Sequence, residues 1–588
     1  MGSADPLAVR VPVGEDAHLW TSRSTSRKVL LVAHNVTSAG RLLDVLPLFR
    51  DDFRVQLLVT STESSPFRAG LPELFAELGF PVLPWEQARS TPVDLAVSAS
   101  FGGQLHALQG KLSVLSHGVG YTKKLPKPGA GSREPGAGSR EPGAGSREPT
   151  FGLSREWLLV DGEPFVDGLV LSHPEQFERL RRACPEAVSS AVFAGDPCFD
   201  RMLTALPHRD RFRRALGVRT GQRLVVLNST WNPEGFFGNG GGKDVLPSLL
   251  PRLTAELPAD EYRLAAILHP NIWYGHGPGQ IRAWLDRARR SGLTLIDPVH
   301  DWRQALIAAD VVLGDFGAVS YYAAALGLPV MLAAAAQDRL DPDAPLVSFV
   351  RDAPRLDPHG LLREQVERVL TGHRPLAEPA AFTTSAPGAS AALLRQHFYR
   401  LMDLPEPEAP ALLEPLPLPA YDPPRRTAPL HVWTHVRGTD VTIERSTGRP
   451  HRTDGRSHLA VHEDSLDPDS LESADVITRE GQPDDPRLGS PEAWTAEVLR
   501  RYPRCPVAAY VTGPHTCTVR IRDHGAFRLS AGPGADTDPA AYASSLAAWF
   551  ATGGTVPPAG ITLRVHVAGG VHPVTVEPAL AGDLAAQP

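Results

Sequence analysis

From Lys28 onward, short apolar runs ending in polar or glycine residues alternate with stretches of helical spacing. Lys28–Asn35 (KVLLVAHN) is the first such run and Arg41–Phe49 (RLLDVLPLF) the first helical one. Phe53–Thr60 and Leu71–Phe80 repeat the pair, and Val93–Ser100 and Lys111–Gly118 add two more strands. This alternation predicts a doubly wound α/β sheet of parallel strands, which binds ligands at the strands' carboxyl ends. The pattern resumes with EWLLVDG (156–162), DGLVLSH (167–173), a helix over Glu175–Cys184 and the segment Ala191–Leu203. After the helical Asp210–Val218, a second set of strands is predicted at Arg223–Trp231, Tyr262–Pro270, Leu293–Pro298, Asp310–Gly317 and Leu328–Ala334. Ser390–Leu404 has apolar residues at helical spacing and is expected to pack back on the lobes.

A chain of 588 residues is too long for one hydrophobic core, and about three to four domain-sized units are expected. The pattern divides it into an N-terminal segment (1–27), a first Rossmann-like lobe (28–206), a second, donor-binding lobe (207–402), a Pro-rich linker (403–425) and a C-terminal α+β unit (426–588). In that last unit HVWTHV, CPVAAYV, CTVRIRD, ITLRVHV and HPVTVEP read as strands, and Ser490–Tyr502 and Tyr542–Ala551 as helices, without a chemical motif. Residues 129–149 are three copies of GAGSREP, too polar and glycine-rich to bury a core. They are expected to form a mobile loop, either a tolerated slippage expansion or a recognition arm.

Composition narrows the function classes. A net charge of −7 argues against a general nucleic-acid binder. Four cysteines, none in a CxxC pair, exclude a disulfide framework and speak against structural zinc. The first twenty residues lack a signal-peptide pattern, and no apolar run approaches the length of a membrane span. A cytoplasmic protein is expected, with peripheral contact at the inner membrane face left open. GNGGGKD (238–244) fails the P-loop pattern at Phe237 and Asp244, and is expected to be a loop facing the cleft, with Lys243 as its one candidate contact. No GxGxxG, HExxH or GxSxG is present. The D-P-D triplets at Asp341 and Asp467, and His431 and His435 in a β-like run, make poor metal sites, so neither a cofactor nor a metal is expected.

Five segments fall at the predicted strand ends: SHGVG (116–120), GDPCFD (195–200), NSTWNP (228–233), LHPN (268–271) and GDFGAVS (314–320). His117 can present an imidazole, the side chain best poised to take a proton near neutrality, beside Gly118, which lets a ligand approach the backbone. The small residues of 314–320 open a helix whose N–H groups suit a phosphate. His269 and Thr230 are each as readily helix caps as ligand contacts.

In order and spacing these segments resemble the CDP-glycerol glycerophosphotransferase family, the teichoic-acid polymerases and primases. The matching positions are His117-Gly118, Gly195-Asp196-Pro197 with Asp200, Thr230-Trp231, His269-Pro270, and Gly314–Ala318 followed by Leu326–Val330. The resemblance covers about residues 29–401. It implies a GT-B fold and transfer of a polyol-phosphate from a CDP-linked donor to a hydroxyl. His117 would be the general base. Gly118, Ser229, Thr230, His269, Asp315, Gly317, Ala318 and Ser320 would hold the donor and its phosphates. The chain departs from the family where Gly317 and Ala318 replace a serine pair, Ile267 a basic residue and Tyr322 an acidic one, and where the lysine after His-Gly is shifted to Lys123 and Lys124. A sugar transferase, a UDP-sugar epimerase or a non-catalytic nucleotide sensor on the same fold therefore stay open.

Overall fold

The computed structural model describes residues 8–23, 26–124, 149–240, 244–421, 425–449 and 452–579. Its first sheet has seven parallel strands in the order Val82–Leu83, Val55–Ser61, Arg27–Ala33, Leu95–Ser98, Lys111–Val114, Gly168–Leu171 and Ala191–Phe193. The chain starts mid-sheet, winds to one edge and returns to build the other, so the topological switch lies between Arg27–Ala33 and Leu95–Ser98. The second sheet repeats this with five strands, ordered Leu293–Leu295, Tyr262–Leu268, Arg223–Ser229, Val311–Gly314 and Val330–Leu332. Val29–Ala33 and all of Tyr262–Leu268 are buried, as required of strands covered by helices on both faces. Two Rossmann-like lobes thus meet at the carboxyl ends of their strands, which is the GT-B architecture.

EWLLVDG does not join a main sheet. Arg155–Leu158 forms one helical turn, burying Trp157 and Leu158, and Leu159–Val160 pairs with Glu163–Pro164 in a separate hairpin. Asp161 and Gly162, both at positive φ, close it, the geometry a two-residue turn requires.

Helix Ser390–Leu401 packs back on the first lobe, with Phe398 stacked on Phe49 at 5.6 Å between ring centroids. The GAGSREP repeats lie outside the described residues except for Pro149. Their flanks, Lys124 and Thr150, pair with each other, and Lys123 pairs with Leu340 of the second lobe.

Beyond residue 425 nine strands form a closed sheet. Helix Pro539–Ala551 packs against strands around this ring and is buried on nearly every side. Its alanines and serines explain how it fits, since small side chains let the backbone approach the surrounding strands. Arg445, on the strand Asp440–Ser446, ties the closed sheet to the second lobe, reaching Asp260 at 2.5 Å and Asp538 at 2.7 Å. No helix among the described residues is long and apolar enough to cross a membrane.

Candidate active site

The strand Lys111–Val114 runs into Ser116-His117-Gly118. Ser116 Oγ donates to the Gly120 carbonyl at 2.7 Å and steadies this turn. His117 Nδ1 lies 3.1 Å from the carbonyl oxygen of Ala99. A carbonyl only accepts, so Nδ1 carries the proton and Nε2 is left as a bare acceptor. The imidazole is exposed at the cleft, yet protein from both lobes crowds it. That crowding, then the charges of Lys123 and Arg41, push its pKa below the ordinary imidazole value.

His269 is the complement. Its Nδ1 accepts from the Asn271 N–H at 3.1 Å and caps helix Pro270–His276. A neutral ring used this way carries its proton on Nε2, which is then a donor. Burial, Lys123 and His117 all push the His269 pKa down, so the ring stays neutral. Capping and ligand contact, alternatives in the sequence, are compatible because they use different nitrogens.

The turn after Val311–Gly314 is built around Asp315. Its buried carboxylate accepts from the backbone N–H groups of Thr230 (2.8 Å), Phe236 (3.0 Å) and Gly317 (3.0 Å). Burial pushes the Asp315 pKa up, against the pull of these N–H groups. Ser229 Oγ accepts from the Phe237 N–H, and Ser320 Oγ from Asn228 Nδ2 at 2.8 Å. Asp315, Ser229 and Ser320, expected from the sequence to touch a donor, therefore turn their side chains inward and shape the loop. The cleft is met instead by Thr230, Gly118, Ala318 and the start of helix Ala318–Ala325. Gly317, its N-cap residue, offers no side-chain acceptor, so the helix's first N–H groups are left uncapped by a side chain. A serine at 317 would press its Cβ to within 3.1 Å of Thr230 Cβ, which accounts for glycine there.

The lobes touch at this point. A Cβ built on Gly118 would lie 3.6 Å from Ala318 Cβ. Lys123 Nζ reaches from the first lobe to Thr230 Oγ1 at 3.4 Å and Asn232 Oδ1 at 3.3 Å. Phe67 meets Trp231 edge-on at 5.3 Å, and Gly70, at φ 87°, leaves room for the Tyr274 ring. Lys243, the candidate contact of the GNGGGKD loop, lies outside the described residues.

Behind the turn is a network that the motif reading missed. Arg41 donates to Asp196 at 3.0 Å, to Tyr322 Oη at 2.8 Å and to the Gly118 carbonyl at 3.3 Å, and Tyr322 Oη donates to Asp196 at 2.5 Å. Tyr322, a departure from the family pattern, is thus the second lobe's hold on the His-Gly turn. Asp196 also caps helix Pro197–Ala205, and Asp200 anchors Gly388 and Ser390 at the start of the returning helix. The available signal was Arg41 and Asp44, two charges three apart in an otherwise uncharged helix.

His34, at the end of the first strand, sits behind His117. Its Nε2 meets the Gly102 carbonyl at 2.5 Å, its Nδ1 has no partner among the described residues, and burial holds its pKa down to about 4. Such a group takes up a proton on unfolding. Its contribution is complete above pH 6.5 and is lost as pH falls from 6.5 toward 4. His34→Gln is therefore expected to lose about 2 kcal/mol less stability than the parent between pH 7 and pH 5, read from urea midpoints. Equal losses would refute it.

All four cysteines are buried and free. Among the described residues no cluster of three or more His, Cys, Asp or Glu could hold a metal ion.

No family model and no curated protein matches the chain. Among solved structures it is similar to the wall teichoic acid polymerase TagF, at 14% identity over 64% of this chain and 88% of that one, with a TM-score of 0.43. It is similar to the UDP-GlcNAc 2-epimerase of Methanocaldococcus jannaschii at 11% identity over 63% and 99%, TM-score 0.41. A Rickettsia africae glycosyltransferase shares 10% identity over 64% and 98%, TM-score 0.35. Each is a distant likeness.

Proposed function

We propose that the chain transfers a polyol-phosphate or glycosyl group from a nucleotide-activated donor to a hydroxyl acceptor in cell-envelope polymer synthesis, with a CDP-glycerol-like donor the first candidate. The observation that carries this reading is the pair of imidazoles in opposite tautomers. His117 Nε2 is a bare base on one side of the cleft, and His269 Nε2–H a donor on the other. The acceptor hydroxyl gives its proton to His117 Nε2 as its oxygen attacks the donor, and the nucleotide leaves with the bonding electrons. His269, Thr230, Lys123 and the start of helix Ala318–Ala325 surround the donor's phosphates. Such fixed donors stabilise developing charge in phosphoryl transfer without reorganising.

A second reading, a nucleotide sensor without turnover, is favoured by the same turn: Gly317 and Ala318 bring no hydroxyl, and Ser320 Oγ is turned inward. The deciding experiment supplies CDP-polyols and UDP- and GDP-sugars, with and without envelope acceptors, and measures nucleotide release. Acceptor-dependent CMP release supports the phosphotransferase. UDP or GDP release makes it a glycosyltransferase, and UDP-sugar consumption without acceptor an epimerase. Binding with no release selects the sensor.

Because Gly118 and Ala318 face each other closely, Ala318→Leu is expected to weaken donor binding by about a hundredfold. Ala318 is half-buried, so the melting temperature should stay close to that of the parent. Unchanged donor affinity by calorimetry would remove this turn from the donor site.

A further inference from the structure

A cavity of about 280 Å³ lies between the second lobe and the closed sheet. Its walls include Arg219 and Thr220, just before the strand Arg223–Ser229, and Asp260, just before Tyr262–Leu268. It therefore sits at the amino ends of that lobe's strands, at the opposite end from the cleft. Asp536, Thr537, Asp538 and His572 of the C-terminal unit also line it. The space equals that of about nine waters, enough for a small metabolite.

The charges around it do not balance. Asp260 and Asp538 share Arg445, and Asp536 accepts from Thr220 N–H and Oγ1 at 2.6 and 3.0 Å. Arg219 is half-buried, and among the described residues its guanidinium has no hydrogen bond or ion pair, although its charge, after that of Arg445, helps hold the Asp538 carboxyl below its ordinary value. Two further arginines lie close enough to feel its charge, though neither lines the cavity. Arg263 is 6% exposed, and among the described residues its Nε and Nη2 have no partner. Burial, then Arg426 and Arg219, push its pKa down to about 9, so it is still charged at neutral pH. Arg426 donates one bond to the Ala259 carbonyl, but its buried Nε is also unpartnered. Four guanidiniums stand against three carboxylates, and a buried charge without a partner is costly. A guanidinium cannot escape by losing its proton, so the balance calls for an anion.

We propose that this junction binds a small phosphorylated, hydroxyl-bearing metabolite, its phosphate on Arg219 in front of Arg263 and Arg426, its hydroxyls toward Thr220, Asp536 and His572. Arg–phosphate pairing is bidentate and matches an uncommitted guanidinium. Contacts from both walls would link the closed sheet to the second lobe, so occupancy would stiffen that lobe from its far end. The site is independent of the reading of the cleft.

The test is hydrogen–deuterium exchange on the full-length protein, titrated with inorganic phosphate, sn-glycerol 3-phosphate or glucose 6-phosphate. Peptides covering residues 219–222 and 534–538 should gain protection, and the phosphate esters should act at lower concentration than phosphate alone. Arg219→Ala should weaken this by about tenfold or more, the worth of one charge-assisted contact. It should fold normally, because Asp538 keeps its ion pair with Arg445 and the removal of Arg219 relieves repulsion on Arg263. Gly534→Leu gives a second variant with the charges intact. A Cβ at Gly534 meets nothing within 4 Å, and the added side chain stands at the cavity wall and should also abolish the protection. No protection at these peptides in the parent, or protection that Arg219→Ala leaves unchanged, overturns the proposal. Protection at residues 314–320 reports on the cleft separately.

Discussion

His117→Ala is expected to lower acceptor-dependent nucleotide release by about two to four orders of magnitude, the usual worth of a positioned general base. Donor affinity should change little, because in the proposed site the phosphates lie against His269, Thr230, Lys123 and the helix at Ala318, none of which depends on the His117 ring. The pH profile carries a sharper test. His117 acts only when unprotonated, and crowding together with Lys123 and Arg41 holds its pKa below 6.5. In kcat/KM, which reports the free enzyme, activity should persist as pH falls through 6.5 and drop only below it. Bound donor phosphates place negative charge near Nε2 and favour its protonation, so the acid limb of kcat should lie at higher pH than that of kcat/KM. An acid limb of kcat/KM at or above 6.5, or turnover retained in His117→Ala, would remove His117 from the base role.

The lobes were legible because parallel strands buried on both faces leave continuous apolar runs, and the polar residues ending them, such as His117 and Thr230, mark the ligand edge. The closed sheet was less so. Asp440–Ser446 (DVTIERS) and Val476–Glu480 (VITRE) carry charged residues that break the apolar pattern, the buried Arg445 among them, and read alone they pass for loops. At the site, residue type and position along the chain identified the candidates but not their direction. Ser229, Asp315 and Ser320 stand at the strand ends as expected, yet their side chains satisfy backbone and amide groups of the turn itself. Tyr322 looked like a lost acidic group, whereas across the interface it meets Asp196 and Arg41. Partners contributed by the other lobe, some 126 and 281 positions away, leave no local pattern.

Those partners set the second large effect. Asp44→Ala is expected to destabilise the two-lobed body by about 3–5 kcal/mol, the cost of leaving buried charge unpaired. Asp44 has no exposed surface and holds Arg303 of the second lobe at 2.9 Å, Arg201 at 2.5 Å and Arg41 at 3.6 Å. Without it, among the described residues, Arg303 would keep only Cys198 Sγ as a hydrogen-bond partner, and Arg201 only the Glu414 carbonyl. Burial pushes the Asp44 pKa up, but the three guanidiniums outweigh it and hold the carboxyl below its ordinary value. The pairing is therefore complete above pH 3.8 and lost only as acid protonates the carboxylate, so parent and variant should differ by a constant amount from pH 5 to 8 in urea unfolding. Adding Arg303→Met to Asp44→Ala should recover part of the loss, since it removes one of the stranded cations. Arg41 also grips the Gly118 carbonyl, so Asp44→Ala should slow turnover under conditions where it remains folded, by loosening the His-Gly turn against Ala318. A variant within about 1 kcal/mol of the parent would mean that the Asp44 network orients the site without joining its halves.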